Sequence, residues 1–158
     1  MSLIPLGILA ASGAGVVLVG VAGYVGGGAA ALSTVNKFAF PSDSRSTLGT
    51  GLSAGRRELG GMSNPSVAGY FAGGYSASAN STVDKFAFPS DSRTTLGTGL
   101  SNSRALGAGF SNSGVAGYAA GGGNTTVDKF NFSNDSRSTL ATGLSADTSN
   151  LAGFEDAA

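Results

Sequence analysis

The feature that most constrains the fold is a unit that occurs three times along the chain. Each copy opens with the tetrapeptide Val-Ala-Gly-Tyr followed shortly by paired glycines, and the copies begin at Val21, Val67 and Val115. After a connection of variable length comes Thr-Val-Asn/Asp-Lys-Phe, which begins at Thr34, Thr82 and Thr126. Self-similarity of this kind is typical of repeat proteins, in which each copy is one supersecondary unit. The chain is therefore expected to fold as a row of similar units.

The spacing of the repeated valines locates the variable part of each unit. The stretch from the second motif to the next Val-Ala-Gly-Tyr is 32 residues in both places where it occurs, whereas the stretch between the two motifs is 14, 16 and 12 residues. The variation lies just after the glycines, at residues 29–33, 75–81 and 123–125. Steps of two residues suit a hairpin that gains one residue on each arm, because side chains then keep their faces. We predict one hairpin of variable reach on a fixed scaffold.

The residue types predict an all-β fold. Short runs of Val, Leu, Phe and Tyr alternate with clusters of Gly, Ser, Asn, Asp and Pro, and no stretch shows a helical period. A further strand is expected before each Val-Ala-Gly-Tyr, at Ala14–Val19, Gly60–Asn64 and Ala108–Asn112. The predicted organisation is an apolar peptide, three four-stranded units and a partial fourth unit, at residues 1–13, 14–59, 60–107, 108–151 and 152–158.

The composition argues against catalysis and against a nucleic-acid partner. The 9 Lys and Arg balance the 9 Asp and Glu, so there is no electrostatic reason to expect nucleic acid. The chain has no His and no Cys, which removes the usual general bases, thiol nucleophiles, disulfides and thiolate metal sites. We therefore predict that the chain is not an enzyme and uses no metal or other cofactor.

The beginning of the chain is apolar, and its first charge is Lys37. Hydropathy alone would suggest a membrane span from Leu3 to Tyr24. However, residues 14–28 belong to the first repeat unit, and the remaining thirteen are too few to span a bilayer as a helix. We expect no membrane span. Instead, residues 1–13 are predicted to be an attachment peptide that docks into a partner's groove through Leu3, Ile4, Leu6, Ile8 and Leu9.

The repeat resembles kelch repeats, and more closely the kelch-like repeats of phage and marine-virus structural proteins. The resemblance covers residues 14–154 and rests on Tyr70, Gly73 and Gly74, followed after the variable loop by Thr-Val-Asp-Lys-Phe, Thr95-Leu96 and Arg104. The chain lacks the tryptophan that kelch units carry near Thr94, and its third unit has Thr148 in place of the arginine. The first thirteen residues also resemble the N-termini of virion appendage proteins of cyanobacterial phages.

The resemblance implies four-stranded antiparallel blades of a β-propeller. Propellers have four to eight blades, so three blades leave two apolar outer faces. We expect self-association, with a six-bladed ring of two chains as the simplest solution and an open stack or trimeric fibre as the alternative. The implied function is a structural component of a phage virion, in a tail, baseplate, neck appendage or fibre. Its partners would be itself and other virion proteins, and its location the virion.

An alternative function is a free-standing binding or adhesion module that recognises a host-surface glycan or protein. Its ligand loop would be the variable hairpin of the second unit, with Tyr75, Ser76, Ser78 and Asn80. The other recurring residues are expected to be structural: Tyr24, Tyr70, Tyr118, Gly74, Asp91 and Arg93. In particular, Asp91 and Arg93 are predicted to tie their turn with an exposed ion pair.

Overall fold

The structure, a computed structural model, describes residues 21–156. These residues form three antiparallel sheets with three, four and four strands, so the prediction of an all-β fold is confirmed. The first sheet contains β1 (Ala22–Gly26), β2 (Val35–Ala39) and β3 (Ser44–Thr47). The second contains β4 (Gly60–Asn64), β5 (Ala68–Ala72), β6 (Val83–Ala87) and β7 (Ser92–Thr95). The third contains β8 (Gly107–Asn112), β9 (Ala116–Gly121), β10 (Val127–Asn131) and β11 (Arg137–Thr139).

Each sheet is a simple meander in which sequential strands are hydrogen-bonded neighbours. The three sheets have the same register, because the tyrosine of Val-Ala-Gly-Tyr lies directly opposite the lysine of the second motif: Tyr24 opposite Lys37, Tyr70 opposite Lys85 and Tyr118 opposite Lys129. The predicted strand at residues 14–19 lies outside the described residues, whereas its counterparts in the second and third units are β4 and β8.

Side chains alternate between the two faces of each sheet. One face, the rear face, carries the tyrosine and lysine of its unit. The opposite face, the front face, carries the Asn or Asp of the second motif together with the phenylalanine two residues later. In the second unit the rear face includes Tyr70 and Lys85, and the front face includes Asp84 and Phe86.

The apolar core lies between the sheets rather than within one unit. On the rear face of the first unit, Val35 and Leu52 belong to the same cluster as Phe86 and Phe71 of the second unit. The equivalent cluster between the second and third units contains Met62, Ala68, Tyr70, Ala72, Val83, Leu100, Ala119, Phe130 and Phe132. Burying a side chain such as Phe86 or Phe130 contributes about 1.5–3 kcal/mol. The middle sheet is thus covered on both faces.

The first strands of the second and third units, β4 and β8, approach each other closely. A Cβ atom on Gly109 would overlap the backbone of Gly61 in the neighbouring strand. Gly153, near the end of the chain, lies against Ala108 and Gly109 of β8. The Leu151 amide also donates to the carbonyl of Leu106 at 3.3 Å, so the last described residues follow the β8 strand.

No helix in residues 21–156 is long and apolar enough to cross a membrane.

Candidate functional site

The junction between the first and second units is closed by an aspartate that binds two side chains of the preceding unit. Asp91 accepts a hydrogen bond from the Tyr24 hydroxyl at 2.7 Å and another from the Lys37 ammonium at 2.7 Å. Beside this contact the Tyr24 ring stacks on Phe88, with ring centroids 5.0 Å apart. We use the term clamp for this set of tyrosine, lysine and aspartate.

A second clamp joins the second and third units. Asp135 accepts from the Tyr70 hydroxyl at 2.9 Å and from the Lys85 ammonium at 2.7 Å. The Tyr70 ring stacks on Phe132 with centroids 5.5 Å apart. The same residue types at the same repeat positions therefore make the same contact at both junctions.

The local backbone explains why the aspartate can reach its neighbour. Asp91 and Asp135 have φ angles of 56° and 57°, in the left-handed region that Asp tolerates better than most residues. Each lies in the turn after the strand that carries the lysine, and each amide donates to a carbonyl four residues earlier at 2.8 Å. On the other side, the tyrosine and lysine are directly opposite each other on paired strands, so both reach one carboxylate.

Three clamp side chains, Tyr24, Lys37 and Tyr70, have pKa values above their ordinary ones. The hydrogen bonds with Asp91 and Tyr24 raise the pKa of Lys37. Burial, followed by the hydrogen bond to Asp91, raises the pKa of Tyr24, and burial with the bond to Asp135 raises that of Tyr70. Both phenols therefore remain protonated donors at neutral pH, and neither is prepared to act as a base.

A buried ion pair lies deeper in each junction. In the first junction, Arg56 reaches from the end of the first unit to Asp84 of the second, with 2.5 Å between Nη2 and Oδ2. Its other terminal nitrogen, Nη1, donates to the carbonyls of Gly73 and Thr82, both at 3.0 Å. The amide and the hydroxyl of Ser53 also donate to Asp84, each at 2.9 Å.

The second junction repeats this pair with Arg104 and Asp128. Burial lowers the pKa of Arg104, although the charge of Asp128 and their hydrogen bond oppose the shift. Burial also tends to raise the pKa of Asp128, but hydrogen bonds from Ser101 and Thr139, with the charge of Arg104, leave it below its ordinary value. Breaking such a pair by removing one partner typically costs about 3–5 kcal/mol.

The predicted ion pair within the Asp91 turn is wrong. Asp91 binds Tyr24 and Lys37 of the preceding unit, while Arg93 lies 3.7 Å from Asp84 and donates to the Thr95 hydroxyl at 2.8 Å. Sequence proximity suggested a local pair, but the left-handed turn directs the carboxylate towards the preceding sheet. Sequence reasoning also missed the roles of Lys37 and Lys85, which bind an aspartate of the next unit.

Two of the four residues predicted for the ligand loop contact arginine side chains, and the other two are exposed. The Tyr75 ring lies under the Arg57 guanidinium at 4.6 Å, and the Asn80 side-chain oxygen accepts from Arg56 at 3.3 Å. Ser76 and Ser78 are exposed at the tip, where the Ser76 amide donates to the Ser78 carbonyl at 3.1 Å. Of the four predicted loop residues, only Ser76 and Ser78 make no hydrogen bond to another segment within residues 21–156.

Gly74 precedes this hairpin and has a φ of 105°, which disfavours any residue with a Cβ atom. Its amide donates to the carbonyl of Arg104 at 2.8 Å, so the glycine links the hairpin to the end of its own unit.

The predicted attachment residues Leu3, Ile4, Leu6, Ile8 and Leu9 lie outside the described residues.

A cavity of about 770 Å³ borders β1 of the first unit and β4 of the second. Apolar side chains dominate its lining, including Met62, Phe71, Phe110 and Phe154. In the second unit, one edge of β5 is paired with β4. The cavity lies along the equivalent edge of β1 in the first unit. Because residues 14–19, the repeat counterpart of β4, lie outside the described residues, this space is not assigned to a ligand.

Within residues 21–156, no group of three or more Asp or Glu side chains is placed to hold a metal ion. No model of a known protein family matches the chain, and a search of curated proteins finds no match either.

Proposed function

We propose that the chain is a non-enzymatic structural protein that acts through contacts between repeat units. The observation that supports this proposal is the use of the recurring charged groups: Asp84, Asp91, Asp128 and Asp135 each bind a side chain of the preceding unit. A catalytic site usually needs a group whose bonding is open to a substrate. Here the buried ionisable groups are committed to joining one sheet to the next.

The proposed architecture is a set of kelch-like propeller blades that are completed by other copies of the chain. Its support is the four-stranded meander of the second and third units, the close approach of β4 and β8, and burial of the middle sheet on both faces. Two chains would supply six blades, which is within the range of known propellers.

The proposed setting is a phage virion, in a tail, baseplate or neck appendage, as the sequence resemblance implies. Residues 1–13 would attach the protein to another virion component. The test is to express a tagged chain during infection by a phage that encodes it, and to assay purified particles for the tag. We expect incorporation of the full chain and loss of incorporation when residues 2–13 are deleted. Absence of the full chain from particles would overturn the virion role, and unchanged incorporation of the deletion variant would overturn the attachment role.

The exposed tip of the second hairpin favours adhesion as a second candidate. Ser76 and Ser78 extend beyond the contacts made by Tyr75 and Asn80, and loops on a rigid scaffold are common binding sites. A glycan array or a cell-binding assay with the whole protein tests this function. Binding that is lost in the S76A/S78A variant would support adhesion, and no binding by the parent would exclude it.

A further inference from the structure

The two ends of the row of units carry complementary halves of the contacts found at the internal junctions. The rear face of the third unit presents Tyr118 and Lys129, which have no aspartate partner among the described residues. The front face of the first unit presents Asp43, which has no hydrogen bond or ion pair among them. We propose that Tyr118 and Lys129 of one copy bind Asp43 of a second copy, so that the chains associate head to tail through a third clamp.

The half-clamps at the ends have the geometry of the complete ones. Tyr118 and Lys129 are directly opposite each other across β9 and β10, as Tyr70 and Lys85 are in the second unit. The φ of Asp43 is 53°, in the same left-handed region as the two bonded aspartates. Both halves are therefore formed before they meet, which lowers the conformational cost of association.

Apolar groups accompany the half-clamp on the front face of the first unit. Phe40 is 49 % exposed and Val25 is 59 % exposed, although their counterparts Phe132 and Ala119 in the third unit are only 6 % and 5 % exposed. The counterparts are buried because the preceding unit covers them. Phe40 is the repeat equivalent of the phenylalanines that stack on a clamp tyrosine at both internal junctions. In the second copy it is expected to stack on Tyr118.

The rear face of the third unit also exposes an apolar side chain that is packed in the other units. Leu140 is 37 % exposed, whereas its counterparts Leu48 and Leu96 pack against the clusters that fill the internal junctions. Tyr118 already stacks on Phe110, its neighbour across the strand pair, with centroids 4.9 Å apart. A tyrosine with both a cross-strand neighbour and a phenylalanine from the next unit is the arrangement of Tyr70.

Each outer face lacks its member of the buried arginine–aspartate pair. The proposed contact between copies would therefore bury no unpaired charge at this position. Asn36 stands where the other units have Asp84 and Asp128, and Thr148 stands where they have Arg56 and Arg104. The Thr148 carbonyl accepts from Gly122 at 3.0 Å, as the Arg104 carbonyl accepts from Gly74 at 2.8 Å, so the positions are equivalent. A lone charge of either kind would oppose burial of the outer faces. The chain presents neither.

The first twenty residues cannot supply the missing half of this clamp, because they contain no Lys, Arg or Tyr. A second copy supplies both groups in the required pairing. Contacts that run head to tail form a ring if their rotation closes and a filament if it does not. The inference deepens the proposed structural role and rests on it, but assembly of the purified protein can be tested apart from any particle.

The experiment is a charge exchange across the proposed contact. In the Asp43→Lys chain, the introduced lysine of one copy would face Lys129 of the next; in the Lys129→Asp chain, two aspartates would face each other. Mixing the two chains restores an opposite pair at each contact between unlike chains. The matched control is the pair Thr98→Asp and Asn102→Lys, at exposed positions of the second unit, which contributes to neither outer face.

Sedimentation equilibrium with the full chain measures the outcome. We expect the parent and control chains to associate, each charge variant alone to dissociate with a dissociation constant raised at least about tenfold, and the equimolar mixture to associate as the parent does. Circular dichroism checks that both variants fold. A monomeric parent, charge variants that associate like the parent, or a mixture that stays dissociated would each overturn the proposed contact. Association of the parent only after deletion of residues 2–13 would also overturn it, because that peptide would then cover the front face. None of these results depends on incorporation into particles.

Discussion

The buried pair of Arg104 and Asp128 makes single substitutions at this junction costly. R104T removes the nearer of the two arginines that pair with the buried carboxylate and leaves only Arg137, at 3.4 Å. D128N leaves the Arg104 guanidinium buried without its counter-ion. We expect each substitution to lower the free energy of unfolding by about 3–5 kcal/mol. The double variant places at an internal junction the two residue types that the chain has at its ends, Thr148 and Asn36. It should be at least about 1 kcal/mol more stable than additivity predicts. Urea unfolding of all four proteins measures this coupling, and simple additivity would show that the charges do not depend on each other.

Asp128 also predicts a dependence of stability on pH. Its pKa in the folded chain lies below the ordinary value of 3.8, so its stabilising effect is complete above that value and is lost as the pH falls through the folded pKa. The free energy of unfolding should therefore fall below about pH 4 more steeply in the parent than in D128N. Urea midpoints measured between pH 7 and pH 3 test the difference in slope. Parallel curves for the two proteins would mean that Asp128 titrates normally.

At the level of strands, the close approach of β4 and β8 predicts that alanine substitution has unequal effects on stability at two facing glycines. A Cβ atom on Gly109 would overlap the Gly61 backbone, whereas a Cβ atom on Gly61 would meet nothing within 4 Å. We expect G109A to lower the free energy of unfolding by about 1–3 kcal/mol, the usual cost of overpacking. G61A is the matched control and should change it by less than about 0.5 kcal/mol. Equal effects of the two substitutions in urea unfolding would argue against the observed packing of these strands.

The strands themselves were predictable because their signals are local. The repeat offset placed β4 at Gly60–Asn64 and β8 within one residue of its start, at Ala108–Asn112. The clamps were not predictable, because Asp91 binds side chains 67 and 54 residues away. Within the sequence its nearest cation is Arg93, which led to the wrong pairing. Only the packing of one sheet on the next decides which lysine meets which aspartate.

For the whole molecule, the copy number shows that two outer faces exist, but the repeat alone does not show that they complement each other. Two kinds of position make the outer faces complementary: those where an end unit differs from the other units, and those where all three units have the same residue type. Asn36 and Thr148 remove a buried charge from each end, while Asp43 and Lys129 keep the surface charges that a clamp needs. Free end caps are usually polar on their outer face, yet Phe40 and Val25 are exposed here.

Association through these faces predicts that thermal stability depends on protein concentration, because assembly draws the equilibrium towards the folded chain. We expect the unfolding midpoint to rise by about 2 °C or more for each tenfold increase in concentration. D43N should abolish this dependence while leaving the midpoint at high dilution unchanged, since Asp43 makes no ion pair within the described part of the chain. D91N breaks an internal clamp instead, so it should lower the midpoint at every concentration and keep the dependence. Calorimetric scans over a hundredfold concentration range distinguish these outcomes. A constant midpoint in the parent would mean that its outer faces are stable without a second copy.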